Sequence, residues 1–478
     1  MAKAGNLDTF TRVFSVVDQN MFAELSGDSN PVHVDAIYSR KVLAGQCIVH
    51  GLHTLIWGLE EIIQNTEEHP IQIRSVFHKP IMVGETVTGR WSAEKSELIV
   101  STANTKLVTI YVELSTQTNP HLTSAATFIH PLNLPNLDCS QDLIEGSDAS
   151  FGIHGDYKKA LDLFPAMCAR FGADVVLEIA ALSHVVGMEC PGMNSVLTEV
   201  FIELRAEPSC VPTFSLTDFD PRFGLYEINV KSKNLAAWLN ALRRPPPTAS
   251  SDITKYRNFV NPEEFRQINA LIIGGSRGLG ESTAKLIALG GGISTITYDV
   301  GIKDATNVQK SIQSQGEKCE IAHLSILEGS PTIVPFDNFT HVFYFATPRI
   351  FSKRSNEFDL EKLQRFLDFY VSGFLNMWVE CVRTSTACSF FYPSSIAVND
   401  PTNELSEYIL AKSIGENLCI QLNKLFPQFP ILSKRIPRVA TDQTQSILNI
   451  EAEDPFQVML PIIRQLTPII ASLPDSPM

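Results

Sequence analysis

Residues 269–288 read NALIIGGSRGLGESTAKLIA, an apolar run, glycines at 274, 278 and 280, and then a helix-forming stretch. Few structures suit that succession other than a strand, a tight turn and a helix. Glycines let the backbone turn sharply, and a helix opening there offers free N–H groups to an anion. Alternation continues downstream through STITYD and further strand- and helix-like pieces. Residues 262–478 are therefore predicted to form a doubly wound parallel sheet, an α/β fold.

The first half of the chain obeys another rule. A short strand-like run and a helix-like stretch from Asp18 to Leu25 lead to a long apolar helix candidate, HGLHTLIWGLEEII, starting at His50. Strand-like pieces follow: QIRSVFHKP, ETVTGRWSAE, SELIVSTAN and KLVTIYVELST. The plan then repeats, with MCARFGADVVLEIAALSHVVG as one long helix before VLTEVFIELRAE, TFSLTDFD and LYEINVKSK. A long apolar helix followed by antiparallel strands predicts an α+β layer, a sheet wrapped around a helix, duplicated in sequence order. Residues 131–150 are polar and turn-rich, and residues 243–252 hold three consecutive prolines. Both read as joints, giving domains at 1–130, 151–242 and 262–478.

Length and charge narrow the function classes. A chain of 478 residues exceeds what one core supports. Its net charge of −14 argues against nucleic acid as a partner. Neither a membrane span nor a secretory leader is expected. Nine cysteines without metal-ligand spacing fit reduced thiols in a cytoplasm and no metal centre.

The densest polar cluster is SGDSNPVHVD, Ser26 to Asp35, followed by IVHG at residues 48–51 and FHKPIMVGETV further on. With these elements in order, residues 10–130 resemble the MaoC-like (R)-specific enoyl-CoA hydratases, which have the hot-dog fold. That resemblance implies hydration of a 2-enoyl thioester, with Asp28 and His33 handling the protons of water. It implies that Asn30 and Pro31 shape the loop, and that Gly51 supplies a helix N-terminal donor to the enolate oxygen. His50 is expected to be structural, and His53 and His78 receive no role. The middle segment lacks Asp-x4-His and resembles the non-catalytic half of a double hot-dog, with His184 a satisfied core histidine.

Gly274, Gly278 and Gly280, then Ser395 thirteen residues before Tyr408, and Tyr408 four residues before Lys412 fall in one order. In that order, residues 265–435 resemble the short-chain dehydrogenases/reductases, whose sheet is of the Rossmann type. The resemblance implies NADP or NAD as cofactor. Its pyrophosphate would lie at Gly274, Ser276, Gly278 and Gly280, and the catalytic set would be Ser395, Tyr408 and Lys412. Lysine one helical turn from the phenol is expected to lower the Tyr408 pKa. Arg277 suits a 2′-phosphate and Asp299 a free 2′-hydroxyl. Three positions depart from the family: Tyr344-Phe345-Ala346-Thr347 stands for Asn-Asn-Ala-Gly, Ser325 for an adenine-contacting Asp, and Tyr370 for an assisting Asn.

The two resemblances share a metabolite. A 3-hydroxyacyl thioester, on CoA or acyl carrier protein, is the product of one site and an alcohol for the other. The alternatives are a hydratase with a degenerate Rossmann module, or a reductase of a non-thioester carbonyl. A homo-oligomer is expected.

Overall fold

The computed structural model describes residues 8–471 apart from 43–44, 103–104, 117–147, 154, 156, 206, 208–210, 249–251, 328–338, 352–357, 385–386 and 445–449. Most of the first joint therefore lies outside the described residues. Two compact units divide inside the proline run, the first reaching Pro246 and the second continuing from Pro247.

The first unit is a double hot-dog. Its first half contains β1 (Asp8–Val13), α1 (Val16–Ser26), α2 (Pro31–Val34), α3 (Ala36–Ser39) and α4 (Gly51–Gln64). Then come β2 (His69–Phe77), β3 (Thr86–Ser92), β4 (Glu97–Thr102) and β5 (Thr105–Ser115). The second half has β6 (Asp148–Ser150), α5 (Tyr157–Leu163), α6 (Pro165–Phe171), α7 (Ala173–His184), β7 (Ser195–Leu204), β8 (Thr213–Asp220), β9 (Leu225–Lys231) and β10 (Leu235–Arg243). All ten strands form one sheet, in the order β1-β3-β4-β5-β2-β7-β10-β9-β8-β6. The halves join through the antiparallel β2–β7 pair, with Ser75 opposite Val200.

Apolar residues encircle α4 and α7, so both helices sink into one core with Leu55, Ile56, Leu59, Val176, Ile179 and Leu182 completely buried. Strands around them bury one face by alternation; in β9, Tyr226, Ile228 and Val230 point inward. The single helix expected from residue 167 is instead α6 and α7, bent by 118°. Gly172 at the break has φ 85° and ψ 152°, outside the helical region. Beyond His184 the helix widens into a π turn, Val185–Glu189.

The second unit comprises β11 (Asn269–Ile273), α8 (Gly278–Leu289), β12 (Ile293–Tyr298), α9 (Ile302–Gln313), β13 (Cys319–His323) and β14 (His341–Tyr344). These are followed by α10 (Leu360–Leu367), α11 (Phe374–Thr384), β15 (Ser389–Ser395), α12 (Ser406–Leu425), β16 (Ile431–Ile436) and α13 (Pro455–Ala471). The strand order β13-β12-β11-β14-β15-β16 is wholly parallel and reverses at β11/β14. That is the 3-2-1-4-5-6 order of the Rossmann fold, whose ligand crevice opens where the winding reverses. No single helix among the described residues is long and apolar enough to cross a membrane.

Candidate active sites

In the first unit the loop between α1 and α2 carries the acid. Gly27, with φ 77°, ends α1, and Asn30 caps α2 by accepting from the Val32 N–H at 3.2 Å. Asp28, 2 % exposed, is thereby held inside the protein. Its Oδ1 accepts from the Asn30 N–H at 3.1 Å, and its Oδ2 accepts from the Ser183 hydroxyl at 2.7 Å. His33 Nε2 lies 3.9 Å from the same Oδ2. Opposite it, His33 Nδ1 lies 2.9 Å from the Ile48 carbonyl, which can only accept. The ring proton therefore sits on Nδ1, and Nε2 presents a lone pair towards Asp28.

Burial lowers the His33 pKa, and the Asp28 carboxylate only partly offsets it. A base of this kind works when neutral. The acid limb of hydration kcat/KM should therefore fall below the ordinary histidine value of roughly 6.5. A pH–rate profile with its midpoint at or above that value would contradict the assignment.

His50, expected to be structural, packs directly on this pair. Its ring stacks on His33 at 3.7 Å, with its Nε2 3.1 Å from the Asp28 carbonyl. Gln19 accepts the His50 backbone N–H at 3.0 Å and faces its Nδ1 at 2.9 Å. His50 is the N-cap of α4, so Gly51 follows it as the first helical residue, where free helix N–H groups favour negative charge.

The second half completes the loop's surroundings. Gly187 lies against Asp28, and a Cβ there would come within 2.5 Å of Oδ1. Asn30 Nδ2 donates to the Gly187 and Met193 carbonyls at 3.2 and 3.1 Å. His184 is satisfied by the Gly27 carbonyl and Glu189. Sequence reading missed Ser183, since a serine on an apolar helix looks like core. Ser183→Ala should lower hydration kcat by about tenfold with little change in KM, because Asp28 keeps its place in the loop but loses a donor. An unchanged kcat would remove Ser183 from the site.

In the second unit β11 runs into Gly274, with φ 76°, and α8 starts at Gly278. A Cβ at Gly274 would approach the Phe345 backbone to 3.1 Å, and one at Gly280 would strike the Gly274 carbonyl. Turn and helix are thus packed as closely as glycine permits, a cradle that suits a dinucleotide pyrophosphate. Ser276 lies in that turn. Arg277 is turned to Asp442, 3.2 Å away, so its charge is already engaged. Asp299 is exposed just beyond β12.

Ser395 ends β15, where its hydroxyl accepts from the Ala397 N–H at 3.2 Å, while Tyr408 and Lys412 share one face of α12. Lys412 Nζ donates to the Pro393 carbonyl at 2.7 Å and lies 3.7 Å from the Tyr370 ring centre. The expectation of a lowered tyrosine pKa is not met. Burial pushes Tyr408 up to about 12, although the neighbouring Ser395 side chain pulls the other way. Burial also pulls Lys412 down to about 7. Its ammonium is 5.9 Å from the Tyr408 ring centre and closer to Tyr370.

Two of the substituted positions, Tyr344–Thr347 and Tyr370, join Tyr392 in a cluster around a π turn, Asp368–Gly373. Tyr370 hydrogen-bonds Thr347 at 2.5 Å, Tyr344 donates to the Phe369 carbonyl at 2.6 Å, and Tyr392 donates to the Tyr370 carbonyl at 3.0 Å.

Comparison with known proteins finds one family model that matches part of the chain. Residues 6–118 match the MaoC like domain, a span that includes Asp28, Asn30, His33 and Gly51. No curated protein matches the chain. Solved structures similar to part of it include an acetoin dehydrogenase from Salmonella typhimurium, 14 % identical over 42 % of this chain and 89 % of that one, with a TM-score of 0.36. A short chain dehydrogenase from Escherichia coli complexed with NADPH is 15 % identical over 43 % and 92 %, with a TM-score of 0.39. An angucycline C-6 ketoreductase with bound NADP is 14 % identical over 42 % and 90 %, with a TM-score of 0.38.

Proposed function

We propose, from the premise that residues 6–118 belong to the MaoC-like dehydratase domains, that the chain is a two-site enzyme of acyl thioesters. The first site interconverts 2-enoyl and 3-hydroxyacyl thioesters, and the second interconverts 3-hydroxyacyl and 3-oxoacyl thioesters. The carrier is CoA or acyl carrier protein. The observation that carries the reading is the buried Asp28 beside the bare Nε2 of His33.

For hydration, Asp28 and His33 accept hydrogen bonds from one water and orient its oxygen to the β-carbon. As the C–O bond forms the pair takes one of its protons, the other stays on the new hydroxyl, and the proton taken is delivered to the α-carbon of the enolate. The N-terminus of α4 at Gly51 stabilises the enolate oxygen in between. At the second site Gly274, Ser276, Gly278 and Gly280 would hold the pyrophosphate of NAD or NADP, Lys412 the nicotinamide ribose, and Asp299 the adenosine ribose. The bound nicotinamide supplies or takes the hydride. Ser395 hydrogen-bonds the substrate oxygen, and Tyr408 exchanges a proton with it. Because Asp442 engages Arg277 while Asp299 is exposed, NAD(H) is the preferred form in this reading.

Crotonyl-CoA hydration, followed by loss of enoyl absorbance, and acetoacetyl-CoA reduction with NADH and with NADPH test the two halves. Absence of hydration of every 2-enoyl-CoA offered would overturn the first assignment, and absence of reduction with both cofactors the second. One observation favours a second reading, in which the Rossmann unit binds cofactor without turnover. Lys412 is engaged by Pro393 and Tyr370 where the relay residue Asn is missing. Cofactor binding without reduction would establish it.

A further inference from the structure

Arg244, the residue after β10, is 4 % exposed. Neither its Nε nor its Nη1 has a hydrogen-bond partner among the described residues. Its Nη2 donates to the Met193 carbonyl at 2.8 Å, and that carbonyl also accepts from Asn30 Nδ2 at 3.1 Å. One carbonyl group therefore separates the guanidinium from the loop of Asp28 and His33. The positive field of Arg244 also reaches His33 and disfavours its protonation.

A guanidinium is always charged, and withdrawing it from water without a counter-charge is costly. Asp28, the acid at this loop, directs its oxygens to Ser183 and Asn30. The arginine thus lies beside the loop with hydrogen-bonding capacity that no described residue uses. It stands one shared carbonyl, that of Met193, from Asn30 in the loop that carries Asp28 and His33. An anion that meets it belongs to the acyl group.

We propose that Arg244 is a specificity-determining residue of the first site and that the acyl thioester bound there carries a carboxylate near its reacting carbons. This deepens the hydratase reading and rests on it. Charge-assisted hydrogen bonds supply the discrimination, since a substrate lacking the carboxylate leaves the buried arginine unpaired.

The 478-residue chain is assayed with crotonyl-CoA and with crotonyl-CoA bearing a carboxylate at C3 or at C4. At least one carboxylated substrate should show kcat/KM about tenfold or more above crotonyl-CoA. Equal or better use of crotonyl-CoA than of both overturns the proposal and leaves the hydratase reading intact. A protein that hydrates none of the three loses the hydratase reading; calorimetric binding of glutaryl-CoA against butyryl-CoA then decides the carboxylate. Tighter glutaryl-CoA binding supports it, and equal or weaker binding overturns it. Arg244→Met should abolish the preference and Arg244→Lys keep part of it; a preference that survives in folded Arg244→Met overturns the role of the arginine. Should Arg244→Met not fold, the unmodified protein still decides through the substrate ratio and the two thioesters.

Discussion

Asp28→Asn is expected to lower crotonyl-CoA hydration by about 10² or more while the protein stays folded. The amide keeps the size of the carboxylate and one oxygen to accept from Ser183 or Asn30. It cannot take a proton from water, and its NH2 would face either a donor of the loop or the lone pair of His33 Nε2, 3.9 Å away. His33→Ala should lower the rate by the same order, because it removes the neutral base and leaves Asp28 alone. Circular dichroism and the melting temperature check the fold, and the enoyl absorbance reads the rate. Near-normal hydration by both folded variants would sink the dyad.

Tyr408→Phe should abolish reduction of acetoacetyl-CoA, a loss of about 10² or more, and leave hydration unchanged. The phenyl ring refills the space between Phe366 and Tyr370, whose rings lie 5.7 and 5.8 Å from Tyr408. Only the phenol hydroxyl is lost. Hydration should survive because the Asp28 site packs on the core of α4 and α7, whereas Tyr408 packs on Phe366, Tyr370 and Ile409 in another core. Loss of hydration in folded Tyr408→Phe would refute two separate sites.

Much of this was legible in short segments. Strand and helix periods in NALIIGG and STAKLIALGG foretold β11 and α8, because each element decides its own burial from its own residues. HGLHTLIWGLEEII became α4, and KLVTIYVELST became β5. The residue 167–187 stretch was read as one helix because apolar content outweighed a single Gly172, and the backbone break there is visible only in its dihedral angles. For Tyr408, helical spacing put Lys412 on the same face, but spacing carries no dielectric. Burial among tyrosines pushes the phenol up and the amine down.

By itself the sequence determined the two fold classes, the order of the elements, and the candidates that lie within one loop or one helical turn: Asp28 with His33, and Tyr408 with Lys412. Those pairs follow from local geometry, which four or five residues of chain suffice to specify. Only the tertiary structure decided that Ser183, 155 residues away, would reach Asp28, and that Gly187 and Met193 would hold Asn30 across 157 and 163 residues. It likewise decided that His50 would stack on His33 and that Asp442 would engage Arg277. Such contacts depend on pairing β2 with β7 and on winding β16 beside β15, and no period in the sequence records which distant side chains a sheet will bring together.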